Sequence, residues 1–456
     1  MIIFPSIVLI DDKKEDLDSI QDSLVRAGYP CFPIHYKKDE PSNLSGVDHI
    51  NFDKVHPRVI ITDLNLQELQ VNAKSLVGPI ADILRKITID GPYLLFFWSK
   101  NTGTVKEVMD LIEERYADIP YPIHWGVLDK AQFNTPRSNL KDEVVGILSS
   151  NPIFESLFGW ENRVSSAAQL TTDSLFRLAR SRENNIEKFQ HQTTENLKTM
   201  LGIIGNETLG FKNAREEPDV AIELGLEPVL HNHIRSNHNK AEHSSWVNAS
   251  KGIGQKPDNE SYQDIKAYLN TFYHIDELSN GSLKNKRGTW IEFNKTYLDE
   301  NELKVESNLG RNIKTVMNEE FLNCRKGTKK ERSVVREATQ LGFIELSAEC
   351  DQAQRKTKLN RYFLSAMIPK EHEKFTFFGD QSGRDTAHAG IYRLPNVIIK
   401  NEEYIVKVSF MYQLGARPDV NKWLGTPIFK LKDQILSDIS FRASQHAARP
   451  GIIRFD

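Results

Sequence analysis

The chain has 456 residues, enough for roughly two to four domains with ample core. Its 39% hydrophobic and 27% charged residues are ordinary for a globular protein, and a formal net charge of −3 excludes a global pull toward nucleic acid or membranes. Three scattered cysteines (Cys31, Cys324 and Cys350), no apolar run near the ~18 residues of a membrane span and no basic leader point to the cytoplasm.

Four short apolar runs organise the first 130 residues: Ile7–Asp12, Val59–Asp63, Leu94–Ser99 and Trp125–Lys130. Each ends in polar residues. Runs of this length are typical of strands buried on both faces of a parallel sheet. Between them, Lys13–Ala27 carries Leu17, Ile20 and Leu24 at helical spacing, and Gly28 is a natural stop. Tyr29–Tyr36 reads as a second strand, followed by a polar insert from Lys37 to His56. Helices are expected over Pro79–Ile87, Thr104–Arg115 and Leu140–Leu148. Strand and helix alternate, which predicts a doubly wound α/β domain over residues 1–150.

In such a sheet ligands sit beyond the carboxyl ends of the strands. Asp11, Asp12, Asp63, Ser99 and Lys130 should therefore meet in one crevice. Three carboxylates make a hard oxygen cage suited to Mg²⁺, a cation usually bound beside phosphate. A carboxylate there can act as a nucleophile toward phosphorus. Ser99 can donate to a phosphoryl oxygen, and Lys130 can neutralise another. Chance capping of strand ends by acids is the bland alternative.

In order and spacing these residues resemble the receiver domain of two-component response regulators. The resemblance implies a flavodoxin-like fold, with Asp63 as phospho-acceptor and Asp11, Asp12 and the backbone carbonyl of Asn65 completing a Mg²⁺ shell. It also implies Ser99 as the switch hydroxyl, Lys130 as the phosphate-binding lysine, and Asn65 and Asn101 flanking the site. Two positions depart from the pattern. Ala131 stands where proline usually follows the lysine, and Val127 where an aromatic switch residue usually stands, with Trp125 two residues earlier. The stretch from Leu66 to Pro79 is longer than usual.

Residues 151–250 read as all-α. Pro152–Leu157 and Trp160–Leu178 carry apolar residues at helical spacing, and further helices are expected over Ile186–Ile204 and Val220–His233. Phe158-Gly159-Trp160-Glu161 matches a turn that follows some receivers. Such a segment either transmits the response, by docking or dimerising, or is a plain spacer. His231, His233, His238 and His243 lie in polar surroundings that favour a solvated loop over a metal site.

Ala249–Ser261 is a linker signal. Residues 251–340 read as mixed and mostly helical, with helices over Tyr262–Asp276 and Arg311–Arg325 and a strand at Trp290–Phe293. The basic run Arg325–Arg332 is flanked by acids and lacks aromatics, so it reads as a solvated face. Residues 341–456 read as a small β-barrel or sandwich. Its strands are expected at Phe343–Ala348, Tyr362–Met367, Phe375–Phe378, Gly390–Leu394, Val397–Lys400 and Tyr404–Phe410, followed by a helix over Asp433–Gln445. Cys350-Asp351 follows the first of these, either as a nucleophile or metal pair or as a buried thiol beside a turn aspartate.

The resemblance leads to a bacterial phospho-switch using Mg²⁺, with a histidine kinase or related ATPase upstream and a protein-interaction output, including a homodimer through the helical segment. Receivers with unusual C-terminal parts also occur in antiphage gene clusters. The alternatives are a nuclease or hydrolase in the C-terminal part and a receiver-like scaffold that is never phosphorylated.

Overall fold

A computed structural model describes residues 7–26, 28–37, 46–52, 56–67, 72–88, 91–130, 146, 151–236, 242–251, 253–254, 263–278, 284–322, 327–348, 351–352, 357–377, 390–417 and 421–448. The chain forms two compact units, Met1–Ala167 with Ile234–Ile253, and Ala168–His233 with Gly254–Asp456.

The first unit is built on five parallel strands: β1 (Ile7–Asp11), β2 (Cys31–His35), β3 (Val59–Asp63), β4 (Leu94–Ser99) and β5 (His124–Asp129). Their spatial order is β2-β1-β3-β4-β5, the flavodoxin-like order. Every residue of β1, β3 and β4 is buried, because helices cover both faces of the sheet. On one face α2 (Ala73–Ile87) and α3 (Val105–Arg115) pack Leu76, Ile80, Leu84, Val108 and Ile112 onto Val8, Ile60, Leu95 and Phe97. On the other, α1 (Lys14–Arg26) packs Leu17, Ile20 and Leu24 onto Leu9, Ile61 and Phe96.

Helix α2 begins six residues before the expected Pro79. Asn72 caps it, its side-chain oxygen accepting from the Ser75 N–H at 3.0 Å. Pro79 therefore lies inside the helix. Burial of Ala73, Leu76 and Val77 offsets the one hydrogen bond that proline removes.

The expected helix over Leu140–Leu148 lies outside the described residues apart from Gly146. The boundary placed at residue 150 falls just before a helix that belongs to this unit at its start. In α4 (Pro152–Ala179) Phe154 joins the α1-side core, and its ring meets Phe158 edge-on at 3.8 Å between centroids. Arg58 makes a two-bond ion pair with Glu161, at 3.1 and 3.2 Å. The Phe158–Glu161 segment is thus helical, not a turn.

Helices α5 (Ile186–Leu209), α6 (Phe211–Glu216), α7 (Pro218–Ser236) and α8 (Glu242–Ala249) follow. Small residues bring α5 and α7 together: a Cβ on Gly225 would meet Ile204 at 2.4 Å, and one on Gly205 would meet Ala221 at 3.4 Å. His233 shares a hydrogen bond with Thr171. His238 and the side chain of His243 lie outside the described residues.

In the second unit α9 (Gln263–His274) runs into β6 (Ile275–Glu277). β6 and β7 (Thr289–Phe293) join one curled antiparallel sheet with β8 (Gln340–Glu345), β9 (Asn360–Pro369), β10 (Ile391–Arg393), β11 (Val397–Ile399), β12 (Glu402–Ala416) and β13 (Leu424–Leu431). The order is β10-β12-β9-β8-β7-β13-β6, with β11 also on β12. A division at residue 340 therefore cuts through one sheet, and the described strands form a curled half-barrel, not the two sheets of a sandwich.

Trp290 anchors one face, stacked on Phe429 and donating its indole N–H to Ser365 Oγ at 3.0 Å. Helix α14 (Asp433–Ala447) packs Ile435, Leu436 and Ile439 on that side. The opposite face packs on the short helices α10 (Lys295–Glu300), α11 (Glu302–Leu309), α12 (Ile313–Val316) and α13 (Lys329–Ala338).

Three elements of this unit differ from expectation. The helix expected over Arg311–Arg325 is α12 followed by a π-turn, Met317–Phe321. The described residues of the strand expected at Phe375–Phe378 are not a strand: Phe375 ends a 3₁₀ segment, Lys370–Phe375, as its buried anchor, and Phe378 lies outside the described residues. β13 carries no alternating strand pattern in the sequence because Gly425, Thr426 and Pro427 interrupt it, and the pairing with β7 shifts register there. Part of the basic run starts α13, where Thr328 and Glu331 form a reciprocal cap.

Candidate metal centre

The carboxyl ends of β1, β3, β4 and β5 bring the predicted residues to one edge of the parallel sheet. Asp11 ends β1, Asp63 ends β3 and Ser99 ends β4, while Lys130 follows β5. Asp11, Asp63, Ser99 and Lys130 are all buried. Asp12 follows Asp11 and is half-buried. Carboxylate oxygens of Asp11, Asp12 and Asp63 lie within 4.8 Å of one another, the only metal-competent group of three or more acids, histidines or cysteines among the described residues. Three carboxylates at this spacing suit a hard divalent cation such as Mg²⁺.

Backbone amides hold the acids in place. The Lys13 N–H donates to Asp11 Oδ1 at 2.8 Å and the Asn65 N–H to Asp63 Oδ2 at 3.0 Å. Ser99 Oγ accepts from the Asn101 N–H at 3.1 Å. The Asp12 carbonyl lies 3.0 Å from His35 Nε2 on the neighbouring strand.

Lys130 is the hub. Its Nζ lies 2.9 Å from Asp11 Oδ2, 2.9 Å from Asp63 Oδ1 and 3.0 Å from Asp16 Oδ2. Burial opposes its charge, but Asp63 and Asp11 outweigh that and hold its ammonium above the usual lysine range. Burial also pushes Asp11 up, to about 7; Lys130 pulls it down and Asp63 adds repulsion. A cation bound by these acids would relieve the same repulsion.

The sequence pattern does not single out Asp16. It lies in the first turn of α1, and its position one helical turn past the acid pair was the available signal. Val127 and Trp125 both pack against the core on the α2–α3 face. Ala131 and Cys350 lie outside the described residues. Asp351 and Gln352 are described, and Gln352 donates to the Asn285 carbonyl at 2.7 Å.

No protein-family profile matches the chain, and no curated protein matches it. Among solved structures, a response regulator receiver domain protein from Clostridium thermocellum is similar at 17% identity over 31% of this chain and 90% of that chain, with a TM-score of 0.20. A likeness of that degree adds no weight to the strand order and the geometry of the site. No helix among the described residues is long and apolar enough to cross a membrane.

Proposed function

We propose that the N-terminal domain is a receiver-type phospho-switch in which Asp63 accepts a phosphoryl group with Mg²⁺ held by Asp11, Asp12 and Asp63. The observation that carries this reading is the junction of Lys130 with two of three clustered carboxylates at the strand ends. The family resemblance of the motif residues supports it.

When bound, Mg²⁺ supplies positive charge that neutralises the acids and a phosphoryl oxygen. The chain's own residues do the rest. A carboxylate oxygen of Asp63 attacks phosphorus, forming the new P–O bond as the bond to the donor's leaving group breaks. Ser99 turns from its neighbour's amide and donates to a phosphoryl oxygen. Lys130 stays beside Asp63 and balances the added charge of roughly −2. The buried position of Asp63 keeps bulk water from the acyl phosphate.

The output is a protein interaction. Ile153, Leu157 and Trp160, spaced four and three residues apart, are exposed on the first part of α4, which supports docking or a homodimer through the helical segment. A histidine kinase or related ATPase is the fitting upstream partner. A role in bacterial antiphage defence rests on the family resemblance alone.

The test is intact mass after incubation with Mg²⁺ and acetyl phosphate. A gain of one phosphoryl group in the wild type, absent from Asp63→Asn, is expected. No gain under conditions where Mg²⁺ binds would overturn the switch in favour of a scaffold.

A further inference from the structure

The Lys130 ammonium meets three carboxylates, and only two of them belong to the Mg²⁺ centre. The third, Asp16, comes from α1. It differs from the others in setting: its side chain is 30% exposed, while that of Asp11 is 0% exposed.

This difference decides what happens when a cation enters. Asp11 Oδ2 and Asp63 Oδ1 each lie 2.9 Å from Lys130 Nζ. A divalent cation seated among Asp11, Asp12 and Asp63 must take at least one of these oxygens. Lys130 is buried, and a desolvated ammonium left short of partners is strongly unfavourable. An acceptor on the solvent side, already in contact, removes that cost.

We propose that Asp16 is a positioning residue that draws Lys130 off Asp11 when Mg²⁺ binds, leaving the ammonium bridged between Asp16 and Asp63. This role rests on the Mg²⁺ centre but not on phosphorylation. Asp18, on the same helix, is exposed and carries the same charge. It separates a specific bridge from simple loss of negative potential.

The experiment is calorimetric titration of Mg²⁺ into the full chain, comparing wild type, Asp16→Asn and Asp18→Asn. Asp16→Asn is expected to weaken Mg²⁺ binding by about tenfold, the usual effect of removing a group that orients a metal ligand set. Asp18→Asn should shift it less than about twofold, since exposed charges are screened. In a Lys130→Ala background, Asp16→Asn should have no larger effect than Asp18→Asn. Equal affinity in Asp16→Asn and wild type, or equal losses in the two Asn variants, would overturn the proposal. So would persistence of the full effect without Lys130. If Mg²⁺ binds as expected but no phosphoryl group is accepted, the switch fails and the role of Asp16 stands. If wild type binds no Mg²⁺, both fall.

Discussion

Lys130 Nζ stands 2.9 Å from Asp63 Oδ1 and the same distance from Asp11 Oδ2, so a single ammonium ties the end of β5 to the ends of β3 and β1. The strands adjoin in the order β1, β3, β4, β5, so this tie crosses β4. It holds a concentration of buried negative charge that the fold would otherwise disfavour. A cation seated among Asp11, Asp12 and Asp63 would have to loosen this tie.

Metal binding should follow the ionisation of Asp11. Burial lifts that group to about 7 against an ordinary value of 3.8. The native state therefore holds a proton that the unfolded chain has released across this interval, and metal-free stability falls as pH rises through it. Mg²⁺ affinity moves the other way, rising toward about pH 7 and levelling above pH ~8, because the cation needs the carboxylate. Calorimetric titrations across this range check it; an affinity independent of pH would show that Asp11 is not a ligand.

Replacing Lys130 with Met keeps most of the volume and removes the charge. Three carboxylates then lose their common partner. Metal-free stability at pH 8 should drop by about 3–5 kcal/mol, the usual penalty for breaking a buried pair. Excess Mg²⁺ should restore part of it. Denaturant melts with and without the cation give both values, and an unchanged midpoint would contradict the central place given to Lys130.

The start of α4 is held by packing more than by charge. Phe154 is 1% exposed, and Phe154→Ala should cost about 3–5 kcal/mol. Arg58 and Glu161 are partly exposed, so Arg58→Ala should cost about 1 kcal/mol or less. Urea unfolding followed in the first unit separates them, and the reverse ranking would mean that the helix is not seated on the sheet by Phe154.

Gly342 lies under Trp290, where a Cβ would meet Trp290 Cζ2 at 2.4 Å and the Ile291 carbonyl at 2.6 Å. One of these is backbone, so Gly342→Ala should destabilise the antiparallel sheet by about 2 kcal/mol or more. A red-shifted tryptophan emission at a lower denaturant midpoint would report it. Mg²⁺ binding should be untouched, since that site lies in the other unit.

Where burial is two-sided, the sequence announces the structure. Ile7–Asp11, Val59–Asp63 and Leu94–Ser99 are uniform apolar runs because helices cover both faces, and their polar ends mark the site. Asp16 was harder to foresee, since an acid in a first helical turn is usually explained by the helix dipole alone. Pro79 misplaced the start of α2 because proline prefers the first turn, and only the burial of Leu76 and Val77 shows why the helix tolerates it. In the curled sheet, β6 and β7 are separated from their partners by helices, and register shifts in β13 erase its alternation. Such long-range pairing leaves little trace in a local pattern.

The most direct measurement is to locate the acyl phosphate. The protein is treated with Mg²⁺ and acetyl phosphate, reduced with borohydride, digested and sequenced by mass spectrometry. Homoserine at position 63, dependent on Mg²⁺ and lost in Lys130→Met, is the predicted result. Reduction at another carboxylate, or none in a sample that binds Mg²⁺, would contradict the assignment of Asp63 as the acceptor.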